Sequence, residues 1–123
     1  MDTDAAGIYH WTTIGRFAES AEAALFRGLD LPERTLQLTP RVSMRLEFRR
    51  PLRFGEEAWT ELTVASVGRS SLRYALRVTD LHDNPVAEGE IVCCLIDPER
   101  SGPRPWPDDM RLAFETRGRV TSE

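Results

Sequence analysis

A long amphipathic helix is predicted by the segment TTIGRFAESAEAALFR, residues 12–27 of the chain. Apolar side chains recur in it at intervals of three and four residues, which places them on one face of a helix. This apolar stripe consists of Ile14, Phe17, Ala18, Ala21 and Leu25. Gly28 follows directly and is typical of a helix C-terminus. We therefore expect a helix from about Thr12 to Arg27 that buries one face.

Four strand-like segments follow this helix. Residues 41–48 alternate strictly between polar and apolar side chains, as in a half-buried strand. Residues 58–67 alternate less regularly, and residues 71–80 alternate again through Leu72, Tyr74, Leu76 and Val78. Residues 86–96 end in a continuous apolar run typical of a strand covered on both faces. Short turns between successive strands favour antiparallel pairing. One helix followed by antiparallel strands predicts an α+β fold.

The last quarter of the chain is polar and proline-rich, with four prolines between residues 98 and 107. We predict a short helix near residues 108–115 and a frayed end after it. The 123 residues fit one domain. We therefore interpret residues 1–123 as a single domain in which residues 98–123 form a C-terminal extension.

Composition narrows the classes of function. The net charge is −4, so the molecule offers no general attraction to nucleic acid. No segment approaches the ~20 apolar residues of a membrane span, and the acidic start, Met1–Asp4, is unlike a secretory signal peptide. The two cysteines, Cys93 and Cys94, are adjacent and cannot form an ordinary disulfide with each other. We predict a cytoplasmic protein that binds neither nucleic acid nor membranes.

Oligomerisation is predicted from the size of the sheet. Four strands cannot both cover a long helix and protect their own edges, and unprotected edges are sites of pairing with other chains. We therefore expect a homodimer or a homotetramer.

Two segments carry a family resemblance. The first is DTDAAGI, residues 2–8, just before the predicted helix; the second is RPLRFGE, residues 50–56, followed by VGRSSL, residues 67–72. Together they resemble the Asp-x-Asp-x-x-Gly opening, the Arg-Pro-Leu-x-x-Gly-Asp turn and the serine-containing hairpin of the 4-hydroxybenzoyl-CoA thioesterase family. The resemblance implies a hotdog fold, in which an antiparallel sheet wraps one long central helix. The family usually has a strand before the opening motif, whereas this chain starts almost on the motif.

The resemblance also implies an activity, the hydrolysis of an acyl-CoA or acyl-carrier-protein thioester. It places the catalytic carboxylate on Asp4, three residues before Gly7, whose lack of a side chain permits close backbone approach. Such a carboxylate attacks the thioester directly or activates water as a general base. The family's oxyanion donor, a backbone amide at the start of the helix, falls on Trp11, and helix N-termini offer unpaired N–H groups. Asp2 is the alternative carboxylate, and a merely solvated N-terminus is the alternative interpretation.

Further substrate contacts follow from the same resemblance. Glu19 matches a helix acid that helps recognise the acyl group in some relatives. Arg69 matches a basic position that contacts the phosphates of coenzyme A, with hydroxyls from Ser70 and Ser71, and planar arginine donors suit phosphate. Glu19 and Arg69 could equally be solvated surface charges. His10 is a candidate general base or substrate contact, although no acidic partner for it is evident in the sequence.

Two other functions on the same fold stay open. One is a non-catalytic protein that binds acyl-CoA. The other is an enoyl thioester hydratase or dehydratase, although His10-Trp11-Thr12 does not resemble the histidine motif of those enzymes. No cofactor is implied, and with only two histidines a metal site is not expected.

Overall fold

A computed structural model describes the backbone of residues 2–52 and 55–122 and the side chains of residues 12–52 and 55–122. Three helices and five strands make up this part of the chain. In order they are α1 (Asp2–Gly28), α2 (Glu33–Gln37), β1 (Arg41–Phe48), β2 (Ala58–Val67), β3 (Ser71–Asp80), β4 (Pro85–Cys94), α3 (Asp108–Arg117) and β5 (Arg119–Ser122).

Helix α1 is longer than the sequence pattern predicts. It ends at Gly28 as expected, but it begins at Asp2, so the predicted start near Thr12 is wrong. Acidic residues in a first helical turn are favoured by the helix dipole, and alanines continue the helix well. The predicted stripe is confirmed, since Ile14, Ala18, Ala21 and Leu25 are buried and Phe17 packs against them at the edge of the core.

The five strands form one antiparallel sheet in the order β1-β4-β3-β2-β5. The predicted segments 41–48, 58–67 and 71–80 coincide with β1, β2 and β3, whereas the fourth strand runs from Pro85 to Cys94. Where β1 and β4 pair, a Cβ at Gly89 would collide with the carbonyl oxygen of Arg45, so the close approach requires glycine. The α+β class and the long helix against an antiparallel sheet are therefore confirmed.

The C-terminal extension is part of the core. The predicted helix is present as α3, but the expectation of a frayed end is wrong, because Arg119–Ser122 pairs with β2 as the fifth strand. Trp106 and Phe114 are buried, and their rings contact edge to face with centroids 4.9 Å apart. The ring of Phe114 also contacts the ring of Phe26 of α1, with centroids 5.6 Å apart. These buried aromatic side chains hold the otherwise polar segment against the core. For this reason the polar, proline-rich composition gives a wrong prediction of a frayed end.

Candidate functional site

The predicted catalytic segment lies in the first part of α1. Asp4, Gly7, His10 and Trp11 belong to the helix by their backbone, but their side chains lie outside the described residues. The early start of the helix changes the position of the predicted oxyanion donor, because Trp11 is inside α1 rather than at its N-terminus. An amide inside an α-helix donates to the carbonyl four residues earlier. Trp11 can therefore serve an oxyanion only if the preceding turns of the helix unwind.

The predicted phosphate-binding residues lie together at the tight hairpin between β2 and β3. The side chains of Arg69 and Ser71 are exposed and Ser70 is half-buried. The hairpin is closed by the Gly68 N–H, which donates to the Ser71 carbonyl at 2.9 Å. The Arg69 guanidinium makes no hydrogen bond or ion pair within the described part of the chain, so its donors face solvent.

Glu19 does not lie with the hairpin. It is on the exposed face of α1, and no hydrogen bond or ion pair links it to another described residue. The acid that α1 turns inward is Glu22, which is only 7% exposed. Glu22 lies four residues after Ala18 and three before Leu25, on the same face of the helix as the apolar stripe. This spacing is the sequence signal that marks Glu22 as a buried acid.

Glu22 belongs to a buried polar cluster between α1 and the sheet. The Cys93 thiol donates to its Oε2 at 3.5 Å. The Tyr74 hydroxyl and the Glu22 carboxyl are near enough for each to shift the pKa of the other. The Tyr74 hydroxyl and Arg41 Nη2 are both buried, and neither makes a hydrogen bond of good geometry with a described residue. Burial raises the pKa of the Glu22 carboxyl, against the lowering effects of Tyr74 and Arg41. Burial also raises the pKa of Tyr74 and of Cys93, so it favours the protonated, neutral form of these two groups and of Glu22.

The Arg50–Glu56 turn has a structural role. The Arg50 guanidinium binds Glu56 Oε2 at 2.5 Å and Asp80 Oδ2 at 2.6 Å, which ties this turn to the turn after β3. Asp80 Oδ1 also accepts hydrogen bonds from the backbone N–H groups of His82 and Asn84. The hydrogen bonds to Asp80 hold the pKa of its carboxyl well below the usual range, and the largest effect comes from the backbone N–H of Asn84.

Other features of the surface do not add to the candidate site. A cavity of about 430 Å³ between α1 and α2, lined by Phe26, Leu31 and Leu36 among others, includes none of the predicted site residues. Within the described residues, no group of three or more His, Cys, Asp or Glu side chains is placed to hold a metal ion. No helix in the described part of the chain is both long and apolar enough to cross a bilayer.

Comparison with known proteins identifies the family. Residues 1–114 match the sequence profile of the thioesterase-like superfamily, which covers both the opening motif and the hairpin. The chain belongs to this superfamily. The resemblance, the hotdog fold and the enzyme class of thioester hydrolase are thereby confirmed.

Individual members of the thioesterase-like superfamily share the fold at low sequence identity. The acyl-CoA thioester hydrolase YbgC of Escherichia coli O6:H1 is 24% identical over 93% of this chain and 88% of its own length. A 1,4-dihydroxy-2-naphthoyl-CoA thioesterase from Synechocystis superimposes with a TM-score of 0.75 at 15% identity, covering 86% of this chain and 82% of its own. A thioesterase from Thermus thermophilus, solved with coenzyme A and zinc, gives a TM-score of 0.67 at 24% identity, with coverages of 82% and 76%.

Proposed function

We propose that this protein hydrolyses an acyl-CoA or acyl-carrier-protein thioester to a free acid and a thiol. The match of residues 1–114 to the thioesterase-like superfamily carries the proposal, because it spans both Asp4 and the Arg69 hairpin. The similarity to YbgC, an acyl-CoA thioester hydrolase, over 93% of the chain supports the substrate class. The free cysteines Cys93 and Cys94 suit a reducing compartment, and we place the protein in the cytoplasm.

In the proposed mechanism, Asp4 supplies the catalytic carboxylate. It removes a proton from water, whose oxygen adds to the thioester carbonyl, or it attacks that carbon itself and forms an anhydride that water then opens. In either route the C–S bond breaks, and the leaving thiolate takes up a proton. Gly7 admits the substrate close to the backbone, and the Trp11 amide is the proposed oxyanion donor, which requires the first turns of α1 to unwind.

Substrate recognition is assigned to two regions. We place the acyl group near Glu19 on α1, keep His10 as a separate candidate substrate contact, and place the phosphates of coenzyme A at Arg69, Ser70 and Ser71. Two observations support the phosphate assignment: the Arg69 guanidinium is exposed, and no described carboxylate pairs with it. All 16 basic residues of the chain are arginine, so any Lys or Arg side chain that binds the phosphate is a planar guanidinium.

The activity is tested by measuring free thiol release from a panel of aromatic and aliphatic acyl-CoAs with a thiol reagent. We expect release from at least one member, and loss of the double-bond absorbance of an enoyl-CoA is not expected. Binding of acyl-CoA without thiol release would replace the proposal with a binding protein. Hydration of the enoyl-CoA would replace it with a hydratase.

Arg69→Ala is expected to raise KM for an acyl-CoA and to change kcat much less. A phosphate contact is present equally in the ground state and the transition state, so its loss weakens binding without slowing the chemical step. One lost charge-assisted contact predicts a KM increase of roughly tenfold or more. The effect should shrink with a thioester that lacks the nucleotide. Arg77→Ala is the matched control, since Arg77 is an exposed arginine on β3 away from the hairpin. An unchanged KM in Arg69→Ala would remove Arg69 from the site.

We also propose that the protein is at least a homodimer, with its sites at the subunit junction. Strand β1 is an edge of the sheet, and its Val42 and Phe48 side chains are 66% and 41% exposed. Exposed apolar side chains on an unpaired edge are typical of an interface.

Light scattering at micromolar concentration should therefore give at least twice the 14.0 kDa chain mass. Val42→Glu should shift this mass towards the monomer, whereas Leu112→Glu on α3 should not. A parent of 14.0 kDa would contradict the proposal.

A further inference from the structure

Every backbone carbonyl from Val67 to Ser71 accepts a hydrogen bond from inside the protein. The donors for Val67 and Gly68 are Arg111 Nη1 at 3.2 Å and Nη2 at 2.6 Å. The Arg69 carbonyl accepts from the Trp106 N–H at 2.9 Å. The Ser70 carbonyl accepts from the Leu95 N–H at 2.7 Å, and that of Ser71 from the Gly68 N–H at 2.9 Å and Trp106 Nε1 at 3.0 Å.

Most of these donors come from the C-terminal segment. Arg111 uses both arms of its guanidinium on two successive carbonyls, so it fixes the direction in which both point. Trp106 donates its backbone N–H to the Arg69 carbonyl and its indole N–H to the Ser71 carbonyl of the same turn. The indole is 3% exposed and packs against Phe114, which in turn contacts Phe26 of α1. The hairpin is therefore held by side chains that are themselves anchored in the core.

This arrangement suits the hairpin to an anion. Carbonyl oxygens carry partial negative charge and would repel a phosphate, but here all five are engaged by protein donors. The backbone N–H groups of Arg69 and Ser70 donate to no acceptor within the described residues. Unpaired amides in a tight turn form a concave surface that favours negative charge. The exposed Arg69 guanidinium lies on the same turn.

We propose that Arg111 is a positioning residue for substrate binding, with Trp106 as its partner. By holding the carbonyls of Val67 and Gly68 inward, Arg111 leaves the backbone amides, the Arg69 guanidinium and the serine hydroxyls as the groups that the hairpin offers to a coenzyme A phosphate. Arg111 itself does not contact the substrate. This inference rests on the proposed thioesterase function and adds to it a residue outside the family motifs quoted above.

Arg111→Ala is expected to raise KM for the preferred acyl-CoA about three- to tenfold, because the hairpin must then be ordered when substrate binds. The kcat value should change by less than about twofold, since no contact to the reacting atoms is lost. The KM for the same acyl group on N-acetylcysteamine, which has no phosphate, should stay unchanged. Arg111→Lys should give an intermediate KM, because an ammonium can bond one carbonyl firmly but lacks the fork that holds two.

Two further variants separate positioning from a general loss of structure. Trp106→Phe keeps an aromatic ring and removes the indole N–H, so it should raise KM for the acyl-CoA in the same direction and to a smaller extent. Arg119→Ala is the matched control: it removes an arginine of the same C-terminal segment that binds Glu61 on β2, and its KM should equal that of the parent. A KM that rises equally for both thioesters, or one that does not rise in Arg111→Ala, would overturn the inference.

The inference also has a readout that does not need turnover. If the parent hydrolyses neither acyl-CoA nor acyl-carrier-protein thioesters, the proposed function fails, and titration calorimetry with coenzyme A then decides. A parent that binds coenzyme A, with a Kd about three- to tenfold weaker in Arg111→Ala, supports the positioning role on a binding protein. A parent that binds no coenzyme A overturns the inference together with the function.

Discussion

Asp4→Asn is expected to reduce kcat for acyl-CoA hydrolysis by roughly two to four orders of magnitude. Asparagine keeps the size of the side chain and most of its hydrogen bonding, but it has neither the charge nor the basicity of the carboxylate. A group that attacks the carbonyl or activates water contributes chiefly in the transition state, so the substrate should still bind. Initial rates of thiol release over a range of acyl-CoA concentrations separate kcat from KM.

Asp2→Asn is the matched control for this prediction. Asp2 has the same side chain, lies two residues away in the same motif and is placed outside the site by the resemblance. We expect its kcat to be close to that of the parent. If Asp2→Asn is the inactive variant, the registration of the motif is two residues out while the fold assignment stands. If both variants hydrolyse acyl-CoA like the parent, the carboxylate mechanism is wrong.

Elements defined by a local pattern could be predicted to within a few residues. Strands β1, β2 and β3 coincide with the segments of alternating pattern, because a strand points successive side chains to opposite faces. In β3 the apolar positions form the buried face, whereas in β1 Val42 and Phe48 are 66% and 41% exposed. The apolar stripe of α1 is likewise predicted by a local pattern, since spacing of three and four residues places its members on one helix face. Strand β5 could not be found in this way. Its four residues, RVTS, contain one apolar side chain and become a strand by pairing with residues 60–63 of β2.

The candidate site was predictable only where a motif marked it. The Arg69 hairpin is where the sequence placed it, and the exposed Arg69 guanidinium is compatible with the predicted role. Arg111 could not be assigned, because its role depends on two carbonyls more than forty residues away in the chain. Glu22 is absent from the predicted site for a different reason: the resemblance points to Glu19, whereas Glu22 is marked as an inward acid only by its helical spacing from Ala18 and Leu25.

The structural role of the C-terminal segment leads to a second large effect, which is on stability. Phe114→Ala is expected to lower the free energy of unfolding by about 3–5 kcal/mol, the usual cost of removing a buried aromatic ring. Phe114 is 1% exposed and lies between Trp106 and Phe26, so its loss leaves a cavity where the C-terminal segment meets α1. Urea unfolding should show a lower midpoint and an unchanged slope.

Leu112→Ala is the control that makes this result informative. Leu112 lies on the same helix two residues earlier, but it is 62% exposed, so its truncation should change the free energy of unfolding by no more than about 0.5 kcal/mol. Both variants must be unfolded at the same protein concentration, because dissociation of an oligomer makes the midpoint depend on it. If Phe114→Ala unfolded at the same urea concentration as the parent, residues 98–123 would be the dispensable extension that their composition suggests. A loss confined to Phe114→Ala instead means that this segment completes the core, and that the Arg69 hairpin is held by a part of the chain that contributes to folding.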